Sequence, residues 1–433
     1  MKGRSALRAL VLGVVGAVVL TACGTGSATP SGKPLAGKKV EIAAVWSKDE
    51  QKNFEAVLAA FSDKTGATAT FTSTGDKIGT VLGSRIASNS PPDVAVLPQP
   101  GLLHDLAVKG SLKELDSATA SLVSQNYAAV WKDLGTVNGK FYGVFYKAAN
   151  KSTVWYNVKA FAQAGVSPPK SIDAAAGVLT TLAASGVKPL SIGGADGWTL
   201  TDWFENVYLR LAGPDKYDGL TKHTIKWTDD SVKATLRVLA ALFQDQLIAG
   251  GRSGALQTDF PTSVSNIAGN PPKAAIVYEG DFVEGILTGT AHMTPITDFN
   301  FFPFPDVNGS PPSVMGGGDV VVRFTDNPAA VELVKYLASP EAAQIWAAKG
   351  GFSSANKKVD LSVYPDPIAK ASTQALVNAQ VFRFDMSDQA PSAFGGTVGS
   401  GEFADLQAWL KSPNNIDAAT AQLEKDAAAA YGS

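Results

Sequence analysis

The sequence predicts an α/β protein built on a mainly parallel sheet. Strand and helix patterns alternate from residue 38 to residue 97, and the alternation returns after residue 228. Alternation of that kind favours parallel strands with helical crossovers. No repeat of 20–50 residues is visible, which argues against a solenoid or a propeller.

The first strand is predicted at Val40, Ile42 and Ala44, ending at Trp46. Ser47 with Glu50 three residues later fits a capping box. Phe54, Val57, Leu58 and Phe61 then follow at helical spacing, and Gly66 is a stop. A Thr-rich strand from Ala67 to Thr74 comes next. A helix carrying Ile78, Val81, Leu82 and Ile86 is broken by Pro91-Pro92, and Asp93 to Leu97 reads as a buried strand. Farther along, Thr228 or Asp229 opens a helix with Val232, Leu236, Leu239 and Phe243 on one face, and Ala274 to Tyr278 reads as a strand. Asn327-Pro328 and Ser339-Pro340 each pair a capping residue with Pro at the first helical position.

The 433 residues suffice for two or three domains. The precursor carries 37 Lys+Arg against 39 Asp+Glu, so no basic field exists to hold a phosphate backbone, and nucleic acid is not an expected partner. Lys2, Arg4 and Arg8 precede an uncharged run from Ala9 to Leu20, too short to span a bilayer and suited to a signal peptide. It ends in Leu20-Thr21-Ala22-Cys23, which resembles a bacterial lipobox. The resemblance implies cleavage after residue 22 and acylation of Cys23, the sole cysteine. Two or three acyl chains anchor firmly where one does not. The rival reading is a plain secretory signal with a chance cysteine. Residues 23–37 then form a Gly/Ser/Thr/Pro-rich tether with a reach of about 20 Å. No disulfide and no cysteine-based zinc site remain.

Polar groups gather where strands end: Trp46-Ser47, Gly75-Asp76, Gln99, Glu279-Gly280-Asp281 and Gly316-Gly317-Gly318-Asp319. Open α/β sheets bind ligands beyond those ends. Indoles with carboxylates and amides suit a sugar, whose C–H faces take aromatic cover and whose hydroxyls take polar partners. Trp198 and Trp203 stand out, because carboxylates lie beside them in a stretch that reads as a loop, 196–203. Trp346 and Trp409 sit on helical faces and read as packing.

Enzyme motifs are thin. His104, His223 and His292 have no partner at metal-ligand spacing, and neither Gly-x-Ser-x-Gly nor a P-loop occurs. No cofactor and no metal site is expected. Gly316 to Asp319 reads as a tight turn before an apolar strand. Glu279 and Asp281, two apart on an extended segment, point to one side and leave a glycoside hydrolase as an alternative.

The order of these segments resembles the extracellular solute-binding proteins of carbohydrate ABC importers, most of all the maltose-like, α-glucoside branch. The likeness rests on Trp46-Ser47 with Glu50, Pro92-Asp93-Val94 to Gly101, Asn150-Lys151 with Trp155-Tyr156-Asn157, Gly197-Trp198 to Glu205, Tyr278 to Phe282, and Met386-Ser387 with Ala393-Phe394. It implies a two-lobed, hinged type II periplasmic-binding fold with discontinuous lobes, 38–148 plus 312–352 and 149–311 plus 353–433. The chain would cross near 147–152, 306–315 and 351–356. Trp46, Ser47, Asp76 and Gln99 would line the first wall. Asn150, Lys151, Trp198, Trp203, Glu279, Asp281 and Phe282 would line the second or the hinge floor. Gly317 and Asp319 would approach along the hinge, and 383–388, with Asp385, would close one end. Gly395 stands where maltose-binding relatives often carry a tryptophan. The implied function is capture of a small sugar, an α-glucoside or other oligosaccharide, and delivery to membrane permease subunits by a lipid-anchored monomer outside the cytoplasm, with no catalysis. A non-sugar solute is the other alternative.

Overall fold

The computed structural model describes residues 32–432; the leader and Cys23 lie outside the described residues. Two sheets organise the chain. The larger has six strands: Thr68–Ser73, Lys39–Ala44, Val94–Leu97, Ser313–Arg323 and Val381–Phe384 in that order, with Gly143–Asn150 also paired to Ser313–Arg323. The first three run parallel, whereas Ser313–Arg323 is antiparallel to Val94–Leu97. The smaller sheet orders Phe299–Pro303, Thr153–Asn157, Ala274–Tyr278 and Lys188–Ser191. Each sheet carries its own helices and its own core. In the first lobe Trp46 meets Phe54 and Trp346 edge-on, both with ring centroids at 4.8 Å. In the second, Trp203 lies 4.5 Å from Tyr278 and 5.3 Å from Phe243.

The first helix, Lys48–Thr65, buries the predicted Phe54, Val57, Leu58 and Phe61 and ends at Gly66, whose φ of 82° suits glycine. Ser47 is its N-cap residue, but no side-chain capping bond forms, and the Glu50 carboxylate is drawn away to Lys147 instead. Asp229, Asn327 and Ser339 do cap their helices through side-chain bonds. At the amino end, the Leu35 N–H donates to the Thr65 carbonyl at 2.8 Å, so the last residues of the expected tether dock on this helix.

Stretch 196–203 is not a loop. Gly197, at φ 94°, starts the helix Trp198–Ala212. Five residues along a helix turn about 140° around its axis, so Trp198 and Trp203 face different sides. Gly316, Gly317 and Gly318 are not a turn either. They lie inside the strand Ser313–Arg323, opposite Asn150, Ala149 and Ala148. Side chains there would collide: a Cβ on Gly318 would sit 2.7 Å from the Lys147 carbonyl oxygen, and one on Gly317 would sit 2.8 Å from Lys151 Cε.

The chain passes between sheets at 151–152 and between Pro303 and Ser313, and Ser353 bonds back to Ala148. A further passage does not follow from the sequence. Val381–Phe384 pairs with Ser313–Arg323 in the first sheet, and Met386 then enters the second core. Segment 353–384 is therefore shared with the first lobe rather than belonging wholly to the second.

Candidate ligand-binding cleft

A cavity of about 250 Å³ lies between the lobes, and its walls differ in chemistry. The first lobe supplies Ser47, Asp76, Gln99 and Asp319, with Trp46 and Trp346 behind them. The second supplies Trp198, Phe260, Phe282, Ile286 and Phe403. Phe260 packs against Trp198 and Phe282 at 5.0 and 5.3 Å between ring centroids, so the apolar wall is one continuous surface. The strand-end rule explains the polar wall: Trp46, Ser47, Asp76 and Gln99 each follow a strand of the first sheet.

The lobes also touch at both ends of the cavity. Thr290 donates to Asp49 at 2.5 Å on one side. On the other, the Ser392 hydroxyl donates to Asp105, and Gly101 lies so close to the Ala390 carbonyl that a Cβ would reach within 2.0 Å of its oxygen.

Two lysines sit on the floor. Lys147 pairs with Glu50 at 2.6 Å and lies 5.0 Å from the Trp346 ring, 5.3 Å from Phe282 and 5.9 Å from Trp46. Burial pulls the ammonium down, but Glu50 and Asp319 outweigh it and keep it charged. Lys151 meets Asp202 at 3.1 Å, Asp388 at 3.5 Å and Asp385 closer still, and its ammonium lies 5.7 Å from the Trp198 ring. Burial opposes its charge, and the three carboxylates hold it well above the ordinary lysine range. Burial, aided by the neighbouring Asp196 charge, pushes Asp76 up to about 6. Burial also pushes Asp319 up to about 6, against the pull of Lys147.

Of the residues expected in the site, Trp46, Ser47, Asp76, Gln99, Lys151, Trp198, Phe282 and Asp319 line this cavity. Six others do not. Trp203 is core, on the far side of its helix from Trp198. Asn150 donates its side-chain amide to the Ser372 carbonyl and accepts from the Ser152 N–H. Glu279 and Asp281 diverge as the chain leaves its strand: Glu279 turns to Asp202, and Asp281 accepts from Ser353 at 2.5 Å. Neither reaches the cavity, so the paired-carboxylate geometry of a retaining glycosidase is not formed there. Gly317 faces Lys151, and Gly318 lines the cavity in its stead. Asp385 is buried behind the wall, whereas its neighbours Ser387 and Asp388 line it.

Sequence reasoning missed Lys147, Phe260, Phe403 and Ile286. Glu50, a cap by its spacing, and Trp346, a packing residue by its helical face, each line the cavity as well. At Gly395 a Cβ would lie 2.1 Å from the Ser387 carbonyl oxygen, so no larger side chain fits without a shift of the backbone.

A two-lobed architecture with such a cleft matches known proteins. The family model for bacterial extracellular solute-binding proteins matches residues 46–344. The chain belongs to that family. Membership places the protein outside the cytoplasm. Among its relatives is the osmoprotective compounds-binding protein GgtB of Synechocystis sp., 33% identical over 90% of this chain and 92% of the relative. The alpha-glucosides-binding periplasmic protein AglE of Rhizobium meliloti is 34% identical over 86% and 83%. The solved solute receptor AcbH, described as exclusively preferring β-D-galactopyranose, superposes with a TM-score of 0.80 at 18% identity, covering 91% of this chain and 99% of that one. A chitin oligosaccharide binding protein gives 0.77 at 20% identity, with the same coverage. These solved receptors establish the shared fold.

Proposed function

We propose that this solute-binding protein captures a small sugar, an α-glucoside or similar oligosaccharide, between its lobes and delivers it to the permease subunits of an ABC importer. The reading rests on the division of the cleft. One wall offers Asp76, Asp319, Gln99 and Ser47 to hydroxyls, and the other offers the faces of Trp198, Phe260 and Phe282 to C–H surfaces. Neither wall binds a sugar fully alone, so ligand favours the conformation in which both are engaged. The relative AglE, an alpha-glucosides-binding protein, supports the choice of ligand class.

The protein acts as a binding monomer, not as an enzyme, and is moored to the outer face of the cell membrane through acylated Cys23. A thermal-shift panel of mono- to tetrasaccharides tests the ligand class. A cognate sugar at about 100 times its Kd should add about 2.7 kcal/mol to stability. A flat response across the panel refutes a sugar ligand. The anchor is tested by Cys23→Ser, which should release the protein into the medium; retention on the membrane refutes it.

A further inference from the structure

We propose that Trp198 recognises the ligand through its indole N–H as well as its ring: the N–H and the Asp76 carboxylate face each other across the cleft and take one ligand hydroxyl between them. The two lobes are then joined through that hydroxyl. The proposal rests on the sugar reading above and adds to it a single position that sets specificity.

Among the apolar wall's Trp198, Phe260, Phe282, Ile286 and Phe403, only Trp198 carries a polar side-chain atom. Its Nε1 is shut off from solvent and makes no hydrogen bond. A buried N–H in that state is costly, and it calls for an acceptor. The acceptor it approaches belongs to the other lobe. Burial and Asp196 push the Asp76 carboxyl up to about 6, and the Trp198 N–H pulls it back down. The two groups are neighbours across the cavity, yet no direct hydrogen bond closes between them.

A hydroxyl is the group that satisfies both. At neutral pH Asp76 is a carboxylate, which accepts and never donates, whereas the indole N–H donates and never accepts. A hydroxyl gives its proton to the carboxylate and offers a lone pair to the N–H. An ether oxygen could only accept, and an ammonium could only donate. The bond to the ionised carboxylate is the stronger of the two. Water has the same two capacities, and the test separates it from a sugar hydroxyl.

Both partners are held in place. A Cβ on Gly197 would lie 2.6 Å from the Phe403 Cβ, so the chain enters the helix Trp198–Ala212 against a fixed neighbour. The Thr201 hydroxyl donates to the Trp198 carbonyl at 2.7 Å. Phe260 and Phe282 pack on the indole at 5.0 and 6.2 Å between centroids, and the Lys151 ammonium lies 5.7 Å from the ring. Asp76 sits in the short turn Gly75–Lys77, just after the strand Thr68–Ser73. Groups fixed in this way discriminate sharply, because a sugar without the hydroxyl leaves both of them buried and unpaired.

The test uses the full mature chain and the sugar that gives the largest thermal shift among glucose, maltose, trehalose, sucrose and maltotriose. Calorimetric titration compares that sugar with each of its monodeoxy analogues. One analogue should bind at least tenfold more weakly than its parent through this contact. Trp198→Phe keeps a ring and loses the N–H; it should weaken binding of the parent at least tenfold. In that variant the penalty for the one analogue should shrink at least fivefold, and the penalties for the others should stay. Asp76→Ala should shrink the same penalty. In nitrogen-edited spectra, the indole N–H signal missing from Trp198→Phe should move downfield with the parent sugar and less with that analogue. If a variant fails to fold, a crystal structure of wild type with the parent sugar decides: one sugar oxygen should lie within about 3 Å of both Trp198 Nε1 and the Asp76 carboxylate. Unchanged penalties for every analogue in Trp198→Phe, or a water in place of the sugar oxygen, overturns the proposal while sugar binding stands. No binding by any of these sugars overturns the sugar reading, and this proposal with it.

Discussion

Thr290 on the second lobe donates its hydroxyl to Asp49 on the first at 2.5 Å, across the rim of the cavity. The contact forms only when the lobes approach, and Gly289 leaves the room for it: a Cβ there would lie 2.7 Å from the Asp49 carboxylate. Thr290→Ala removes one exposed hydrogen bond of about 1 kcal/mol, so affinity should fall roughly fivefold. Calorimetric titration with the cognate sugar measures it. An unchanged Kd means that this rim contact plays no part in closure.

The two tryptophans of one helix should behave oppositely. Trp198→Ala should weaken sugar binding at least tenfold and leave Tm nearly unchanged. Trp203→Ala opens the second core and should destabilise by about 3–5 kcal/mol. Chemical denaturation and titration of both variants separate the roles. A binding loss with full stability in Trp203→Ala would contradict the assignment.

Asp76 and Asp319, pushed up to about 6 mainly by burial, make affinity depend on pH. A carboxylate accepts a hydroxyl proton better than the neutral acid does. Affinity should therefore rise as pH rises through about 6 and level off near neutrality. Asp76→Asn should flatten part of that rise. A profile identical in variant and wild type removes Asp76 from ligand recognition.

Asp281 has the same upward push to about 6, again from burial, but no place in the cavity. Its folded form holds the proton more tightly than the unfolded chain, whose carboxyl titrates near 4. Its contribution to stability is thus greatest below about 4 and is lost as pH rises to about 6. Asp281→Asn, which still accepts from Ser353, should remove that part of the decline in unfolding free energy. An unaltered pH dependence between 4 and 6 would show that the carboxyl ionises freely.

The glycines of the hinge strand are there for space. Gly318→Ala would force its Cβ against the Lys147 carbonyl and should destabilise by about 1–3 kcal/mol. Gly83 lies exposed within the helix Ile78–Ala87 with nothing near its missing side chain, so Gly83→Ala should stabilise by roughly 0.5–1 kcal/mol. Denaturant midpoints of the pair check both signs.

The first lobe was legible because its signals are local. Phe54 and Phe61 announce their helix by spacing, Asn327 and Ser339 announce theirs by capping, and Asp76 and Gln99 follow strands that alternation reveals. The second wall was less legible. Phe260, Ile286 and Phe403 converge on Trp198 from distant parts of the chain, and no local pattern marks them. Trp203 is not legible as core because Gly197 and the polar residues after it look like a loop, while the helix they begin turns Trp203 inward. Glu50 reads as a cap because its spacing from Ser47 is right; the stronger partner, Lys147, comes from a strand almost a hundred residues away. Triple glycine looked like a turn, but crowding by the neighbouring strand, not curvature, excludes side chains there.

A crystal structure of the complex with the sugar that most stabilises the protein tests the central claim directly. A ring should lie in the interlobe cavity with one face within about 4 Å of the Trp198 indole, a contact at van der Waals distance, and with hydroxyls on Asp76, Asp319 or Gln99. Density for the sugar outside that cavity, or touching only one of its walls, would contradict the account.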